Sequence, residues 1–440
     1  MPGGDYLSWG RYPRVRHRQV YRLSWQDQAA PRLAAAAAES LLPTGLQRSY
    51  GDSCLNAGRD LLSCRRLDRI LAADFEQGWL RCEAGTTLAE ILAVTVPHNW
   101  FLPVVPGTQQ ITLGGAIAND IHGKNHHRAG SFGRHVRQFG LCRSDAPALV
   151  CSPAQNAELY RATIGGLGLT GIILWAEIEL KPIPGPGMDV NTMPFNSLEQ
   201  FLELNAQQDR DHEYTVAWFD CLAPADARGV LFSGNHSPAP AGRTRGEAKP
   251  AERQWKIPFP LPQWWLNAGT IRLLNAAYRL RQRRRPRQAW LPYAPFFFPL
   301  DQVVNWNLGY GRAGFLQYQC RIPERLEVCH ELLRTIARSG RGSFLAVLKK
   351  FGDLASPGLL SFPQPGLTLA LDFPMRGQAT LELLAALDRI VFRYGGGLYP
   401  AKDARMPAEA FQRSFPGWRE FLPYLDPKLS SSFWRRVTGA

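Results

Sequence analysis

The sequence predicts an α+β protein of two domains, and three observations carry that prediction. The chain has 440 residues, more than one hydrophobic core usually organises. Lys181-Pro182-Ile183-Pro184-Gly185-Pro186-Gly187 interrupts it with prolines and glycines that cannot continue a strand, which places a domain boundary there. Helical and strand patterns occur side by side before that boundary: residues 158–164 read as the end of a helix, and residues 172–180 alternate apolar and polar over their second half like a strand. No internal repeat is present.

Taken in chain order, three glycine-marked segments stand out. Gly45-Leu46-Gln47-Arg48-Ser49-Tyr50-Gly51-Asp52 follows an apolar pair and Pro43, and its Arg48, hydroxyls and amides suit a pyrophosphate. Pro106-Gly107-Thr108 reads as a turn and Ile111-Thr112-Leu113 as a short strand. The strand bends at Gly114-Gly115 into Ala116-Ile117-Ala118-Asn119-Asp120-Ile121-His122-Gly123-Lys124-Asn125-His126-His127, where small residues and convergent polar groups point to a bound anion approached by backbone N–H groups. Gly165-Gly166-Leu167-Gly168-Leu169-Thr170-Gly171 contains the spacing G-x-G-x-x-G, but a helix precedes it and a strand follows it. A Rossmann site requires the reverse order, so these glycines are read as further backbone surface for a nucleotide cofactor.

These segments resemble those of the flavoprotein oxidoreductases of the vanillyl-alcohol oxidase type, whose FAD-binding domain is called PCMH-type. Arg48-Ser49-Tyr50-Gly51-Asp52, the run from Asp120 to His127 with Ala129-Gly130-Ser131-Phe132-Gly133, Gly166-Leu167-Gly168-Leu169-Thr170-Gly171-Ile172, Gln317-Tyr318-Gln319 and Ala401-Lys402-Asp403 are more specifically similar to the decaprenylphosphoryl-β-D-ribose oxidases. The resemblance runs from about Tyr6 to the C-terminus. It implies a PCMH-type domain over residues 1–187, a substrate domain with a mixed, largely antiparallel sheet over 188–396, and a segment 397–440 that returns to the first domain. It also implies FAD as cofactor, with Arg48, Ser49, Tyr50, Gly51, Asp52, Gly107, Thr112, Gly114, Gly115, Asn119, Asp120, His122, Ile172 and Tyr399 around it. Many relatives in the superfamily carry at the Arg48 position a histidine bonded covalently to the flavin, so arginine implies non-covalent FAD. Gln47 stands where a glycine is expected, a strained choice if the backbone takes positive φ there.

The resemblance further implies oxidation of a secondary sugar hydroxyl, C2 of a polyprenylphosphoryl-β-D-ribose, to a ketone by hydride transfer to flavin N5. This is the first half of an epimerisation to the arabinose form, completed by a partner NAD(P)H-dependent keto-reductase. Lys402 corresponds to the family's active-site lysine, and a fixed ammonium in a dry pocket stabilises charge developing on the flavin. Tyr50 is expected beside it and His122 to face flavin or substrate, or else to be a buried structural histidine. Gln317 and Gln319 lie two apart in an apparent strand, so they share a face where they can hold sugar hydroxyls. Lys349 is placed to meet a phosphate, with Lys350 the alternative if the register slips by one. Thr368 and Ala370 occupy positions where Asn and Cys are expected, which alters one wall of the substrate pocket. An aldonolactone or alditol oxidase, and a non-catalytic flavin- or lipid-binding relative, are the competing readings.

Composition narrows the rest. Eight cysteines form no C-x-x-C pair and no compact disulfide framework, which suits a reducing compartment. The first six residues lack the regions of a secretory signal, and no apolar run is long enough to span a bilayer. A cytoplasmic protein is expected, with peripheral contact at the inner membrane face as one reading of its net charge of +14. Six arginines lie between Arg279 and Arg287, next to an apolar segment with Trp255, Phe259, Trp264 and Trp265, and residues 264–280 read as an amphipathic helix. Tryptophan beside arginine over 255–287 suits an anionic lipid surface; the alternative is a packed helix with a solvated arginine tail. Nucleic-acid binding is not expected, since no recognised module accompanies the arginines. Residues 233–254, rich in Pro, Gly, Ala and charge, read as a mobile loop. His122, His126 and His127 lack the carboxylates and spacing of a metal site, so no metal is assigned.

Overall fold

The computed structural model describes residues 6–223, 227–240 and 255–439. Three β layers organise it. A small parallel sheet has the order Val20–Arg22, Asp60–Ser63, Leu41–Thr44. A five-stranded antiparallel sheet follows the order Ile70–Asp74, Trp79–Glu83, Ile172–Glu179, Val136–Cys142, Leu149–Cys151. In its central strand Ile172 and Leu174 pack toward the small sheet, while Ile173, Ala176 and Ile178 enter the second core. Both faces of that strand's first half are covered, which is why its sequence begins as an unbroken apolar run and alternates only later.

The chain enters an eight-stranded sheet at Gly187. Its order is Gln288–Pro292, Gly187–Phe195, Gly229–Ser237, Tyr214–Phe219, Ala346–Phe351, Gly366–Pro374, Phe315–Ile322, Gly397–Leu398. Every pairing is antiparallel, in line with the largely antiparallel sheet expected. The helices Leu326–Ser339 and Gln378–Arg393 pack together beside it; the first buries Val328, Cys329, Leu332, Leu333 and Ile336, the apolar stripe of an amphipathic helix. From Gly397–Leu398 the chain returns to the small sheet, where Leu429 bridges to Leu41 and the Ser430 N–H donates to Leu41 O at 3.0 Å.

Two local expectations are corrected. Residues 111–113 do not form a strand: Thr112 is the N-cap of the helix Leu113–Ala118, its Oγ1 accepting from the Gly115 N–H at 3.2 Å. A three-residue apolar pattern cannot outweigh a capping threonine. The expected loop over 233–254 is strand at its start, because Gly229–Ser237 is hydrogen-bonded between two neighbours and that pairing overrides its polar composition. The part of that expectation covering residues 241–254 lies outside the described residues. Ala268–Arg283 is helical as the sequence pattern indicates, with Asn267 capping the N–H groups of Gly269 and Thr270. It buries Ile271 and sets Tyr278 4.7 Å from Trp218 of the large sheet.

Candidate active site

A cavity of about 590 Å³ lies between the glycine-marked segments and the large sheet. One wall is built from Gly45, Gln47, Arg48 and Ser49, the Gly107–Thr108 turn, the capped helix at Thr112, Gly114 and Gly115, and Gly168 with Ile172. A Cβ on Gly45 would meet Thr112 Oγ1 at 2.3 Å, so the first segment rests directly on the helix cap. Gln47 has φ +53°, so the residue standing where glycine was expected does occupy left-handed backbone. Arg48 lies with its guanidinium 3.8 Å over Trp9, and burial lowers its pKa, with Asp301 opposing that effect. Gln47 Nε2, Arg48 Nε and Ser53 Oγ are buried without a hydrogen-bond partner in the protein. Unpaired buried donors cost about 1–3 kcal/mol each. Three of them on a glycine-rich wall fit an anionic ligand, and a dinucleotide's pyrophosphate is of that kind.

The opposite wall comes from the large sheet, whose register explains it. Gln319 lies opposite Ala370, and Ala370 opposite Val347, so these three share a face and line the cavity. Gln317 lies opposite Asp372 and its Nε2 donates to Asp372 Oδ1 at 2.6 Å. Of the two lysines, Lys349 lines the cavity, whereas Lys350 turns outward to Glu324 at 2.8 Å. Thr368 shares the face of Ala370 and Lys349 but does not line the cavity, and it accepts from Gln319 Nε2 at 3.3 Å. Lys402 reaches in from the returning segment with Nζ 3.5 Å from the centre of the Tyr50 ring, and Tyr50 packs edge-on to Phe315.

Charge on this wall is tuned by burial. Desolvation lowers the Lys402 pKa to about 7, against an upward pull from Asp372 and a further downward push from Lys349. Desolvation also lowers Lys349 to about 8 and raises Asp372 to about 7. His122 is held well below its usual pKa, first by desolvation and then by Lys349, so it is neutral. Its Nδ1 is 3.2 Å from Lys349 Nζ and its Nε2 is 2.9 Å from the Gln319 amide. The same Gln319 nitrogen also meets Thr368 Oγ1, so it bridges His122 and Thr368 and its orientation is set by both.

The residues proposed from sequence thus divide. Arg48, Ser49, Tyr50, Gly107, Thr112, Gly114, Gly115, Asn119, His122, Ile172, Gln317, Gln319, Lys349, Ala370, Tyr399 and Lys402 all line one cavity. Gly51, Asp52, Asp120 and Thr368 do not. Gly51 is pressed against the Asp403 carbonyl, Asp52 pairs with Arg436, and Asp120 accepts from Ser361 Oγ and the Gly133 N–H. Tyr399 also donates its hydroxyl to Asn119 O at 3.0 Å, joining the two walls. Sequence reading missed Trp9, Ser53, Asp301, Trp306 and Asp372. Asp301 accepts from Thr108 Oγ1 at 2.6 Å and the Gln109 N–H at 2.9 Å, tying a loop from the large-sheet half across the turn. Asp372 carried a usable signal, since it continues the alternation of Thr368 and Ala370 along one strand.

Comparison with known proteins gives the family. A family model described as FAD binding domain matches residues 26–152. Decaprenylphosphoryl-β-D-ribose oxidase of Mycolicibacterium smegmatis is 36% identical over 418 residues, covering 90% of this chain and 87% of that protein. The chain belongs to the decaprenylphosphoryl-β-D-ribose oxidase family. An uncharacterised protein from the mprA 5' region of Streptomyces coelicolor is 33% identical over 371 residues, covering 80% of this chain and 99% of its own. Bovine L-gulonolactone oxidase is 26% identical over 156 residues, about a third of each chain (35% and 34%). As a member of the decaprenylphosphoryl-β-D-ribose oxidase family the protein is an FAD-dependent oxidoreductase, and the buried donors of Gln47, Arg48 and Ser53 are suited to that cofactor's pyrophosphate.

Proposed function

We propose that this protein oxidises the C2 hydroxyl of a polyprenylphosphoryl-β-D-ribose to a ketone. The observation that carries the reading is the meeting, in one cavity, of an anion-ready glycine wall and a sheet wall bearing two amides, two half-buried lysines and a neutral histidine. FAD, held non-covalently, would supply the hydride acceptor when bound, with Arg48, Gln47, Ser53 and the backbone around Gly107, Thr112 and Gly115 holding its phosphates. Gln317 is oriented by Asp372 and Gln319 by His122 and Thr368, so each amide has a set polarity with which to meet a sugar hydroxyl. Lys349 offers its ammonium to the substrate's phosphate. Lys402, with a pKa brought to about 7 by burial, can hold or release a proton at Nζ near neutral pH, and as an ammonium it stabilises negative charge nearby. Tyr50 fixes that ammonium against its ring face.

A lipid-linked substrate agrees with the surface beside the large sheet. Trp255 and Trp264 are 77% and 75% exposed, with Phe259, Leu273 and Leu280 also exposed. Arg272, Arg281, Arg283, Arg284, Arg285 and Arg287 are exposed around them. This is the composition of a peripheral contact with anionic lipid, which we assign to the face that presents the polyprenyl chain. No described helix is long and apolar enough to cross a membrane. A ketone product requires a separate NAD(P)H-dependent reductase as partner to complete an epimerisation. Anaerobic mixing with polyprenylphosphoryl ribose should bleach the visible flavin band. Bleaching by an aldonolactone or alditol in its place would overturn the assignment.

A further inference from the structure

Lys402 and Tyr50 come from opposite ends of the chain, yet Nζ stands 3.5 Å from the ring centre. Their segments are zipped by two backbone hydrogen bonds, Tyr50 N–H to Ala401 O at 2.9 Å and Asp52 N–H to Asp403 O at 3.3 Å. A Cβ on Gly51 would lie 1.6 Å from Asp403 O, so glycine alone permits this approach. The zip also brings the carboxylates of Asp52 and Asp403, 4% and 7% exposed, to the same side, where like charges would force the segments apart.

Arg436 fills that position. Its Nε donates to Asp52 Oδ2 at 2.9 Å, and one terminal nitrogen donates to Asp52 Oδ1 at 2.6 Å and to Asp403 Oδ2 at 3.0 Å. The other terminal nitrogen donates to Met406 O. The helix that carries it, Ser432–Thr438, buries Phe433, Trp434 and Val437 and is capped by Ser431, whose Oγ accepts from the Trp434 N–H at 3.0 Å. Neither Arg436 nor its two carboxylates line the cavity.

We propose that Arg436 is a positioning residue that clamps the Tyr50–Asp52 and Ala401–Asp403 segments together and so fixes Lys402 against Tyr50. The planar guanidinium spans both carboxylates at once, which an ammonium cannot do. Without it two buried carboxylates repel, the zip loosens and water reaches Lys402. This rests on the role given above to Lys402, but the clamp itself can be tested without turnover.

Arg436→Lys and Arg436→Met are made in the full chain. Labelling of Lys402 by an amine-reactive reagent is followed by mass spectrometry against pH in FAD-free protein. The labelling midpoint is expected to rise in both variants, by about one pH unit or more as the amine regains solvent. Flavin reduction by substrate should slow about tenfold or more with little change in KM, the signature of lost orientation. An unchanged midpoint and rate in Arg436→Lys would overturn the clamp, because charge alone would then suffice. Should wild-type protein fail to be reduced by the lipid-linked ribose, the functional reading fails while the labelling still decides the clamp. Thermal unfolding of Arg436→Lys confirms that the variant compared is folded.

Discussion

Arg48→Met should weaken FAD binding without weakening the ligand-free protein, an opposition of signs that most buried substitutions do not produce. The guanidinium stacks on Trp9 at 3.8 Å, and its Nε is buried without a partner. A cation in that state carries an uncompensated desolvation cost. An anion at the wall removes the cost through charge-assisted hydrogen bonds, each worth about 1.5–3 kcal/mol. At 1.4 kcal/mol per factor of ten, the expected loss in FAD affinity is about 10- to 150-fold. Methionine keeps apolar contact with Trp9, and Asp301 keeps its bonds to Thr108 and Gln109. Urea unfolding of the FAD-free variant should therefore give a midpoint equal to wild type or higher, while fluorescence titration with FAD gives the weaker affinity. Unchanged FAD affinity would refute the placement of the pyrophosphate. A parallel collapse of ligand-free stability would show that Arg48 is structural.

Lys402→Ala should keep its fold and most of its FAD yet lose at least about 10²-fold in anaerobic flavin reduction, the scale for removing one preorganised charge-stabilising donor; near-normal reduction would remove Lys402 from the chemistry. The lysine pKa values set a pH dependence. Lys402 and Lys349 are lowered to about 7 and 8 from 10.5, so above pH 7 the unfolded chain binds more protons than the folded one and stability rises with pH. Between pH 7 and the onset of thiol ionisation in the unfolded chain near about 8.5, urea unfolding of FAD-free wild type should show this rise. Lys402→Met with Lys349→Met should reduce the slope to the part left by Lys124, which burial also lowers to about 7, and an unchanged slope would contradict the assigned burial. Acid precipitation should release FAD into the supernatant; flavin retained in the pellet would mean a covalent link despite Arg48. Sedimentation with liposomes should require anionic lipid and fall at high salt, Arg283, Arg284 and Arg285 to Ser should reduce it, and indifference to anionic liposomes at low salt would leave the Trp255–Arg287 surface without that role.

What the sequence disclosed follows from range. The glycine segments are local, so their small residues and donors could be recognised one stretch at a time, and the spacing of Gln317 and Gln319 placed both on one strand face. Thr112 was misread as strand although its cap to Gly115 lies three residues away, because the apolar neighbours Ile111 and Leu113 gave a competing alternation. The pairing of Asp301 with Thr108, the stacking of Arg48 on Trp9, and the clamp from Arg436 to Asp52 join residues with no periodic relation. Nothing in a single chain marks such contacts before the sheets bring them together. A related reason hides residues 233–237: Ser233-Gly234-Asn235-His236-Ser237 has loop composition, and only pairing with Gly187–Asn191, joined at Ser233 and Gly234 by a second partner strand, makes it β.

The central claim is that the cavity presents C2 of a lipid-linked ribose for oxidation. It is tested most directly by anaerobic flavin bleaching with polyprenylphosphoryl ribose carrying deuterium at C2 or, separately, at C3. Deuterium at C2 should slow the bleaching, deuterium at C3 should leave it unchanged, and the recovered product should be the 2-ketone. Equal rates with protium and deuterium at C2 together with slowing at another carbon, or no bleaching by this substrate at all, would contradict the account.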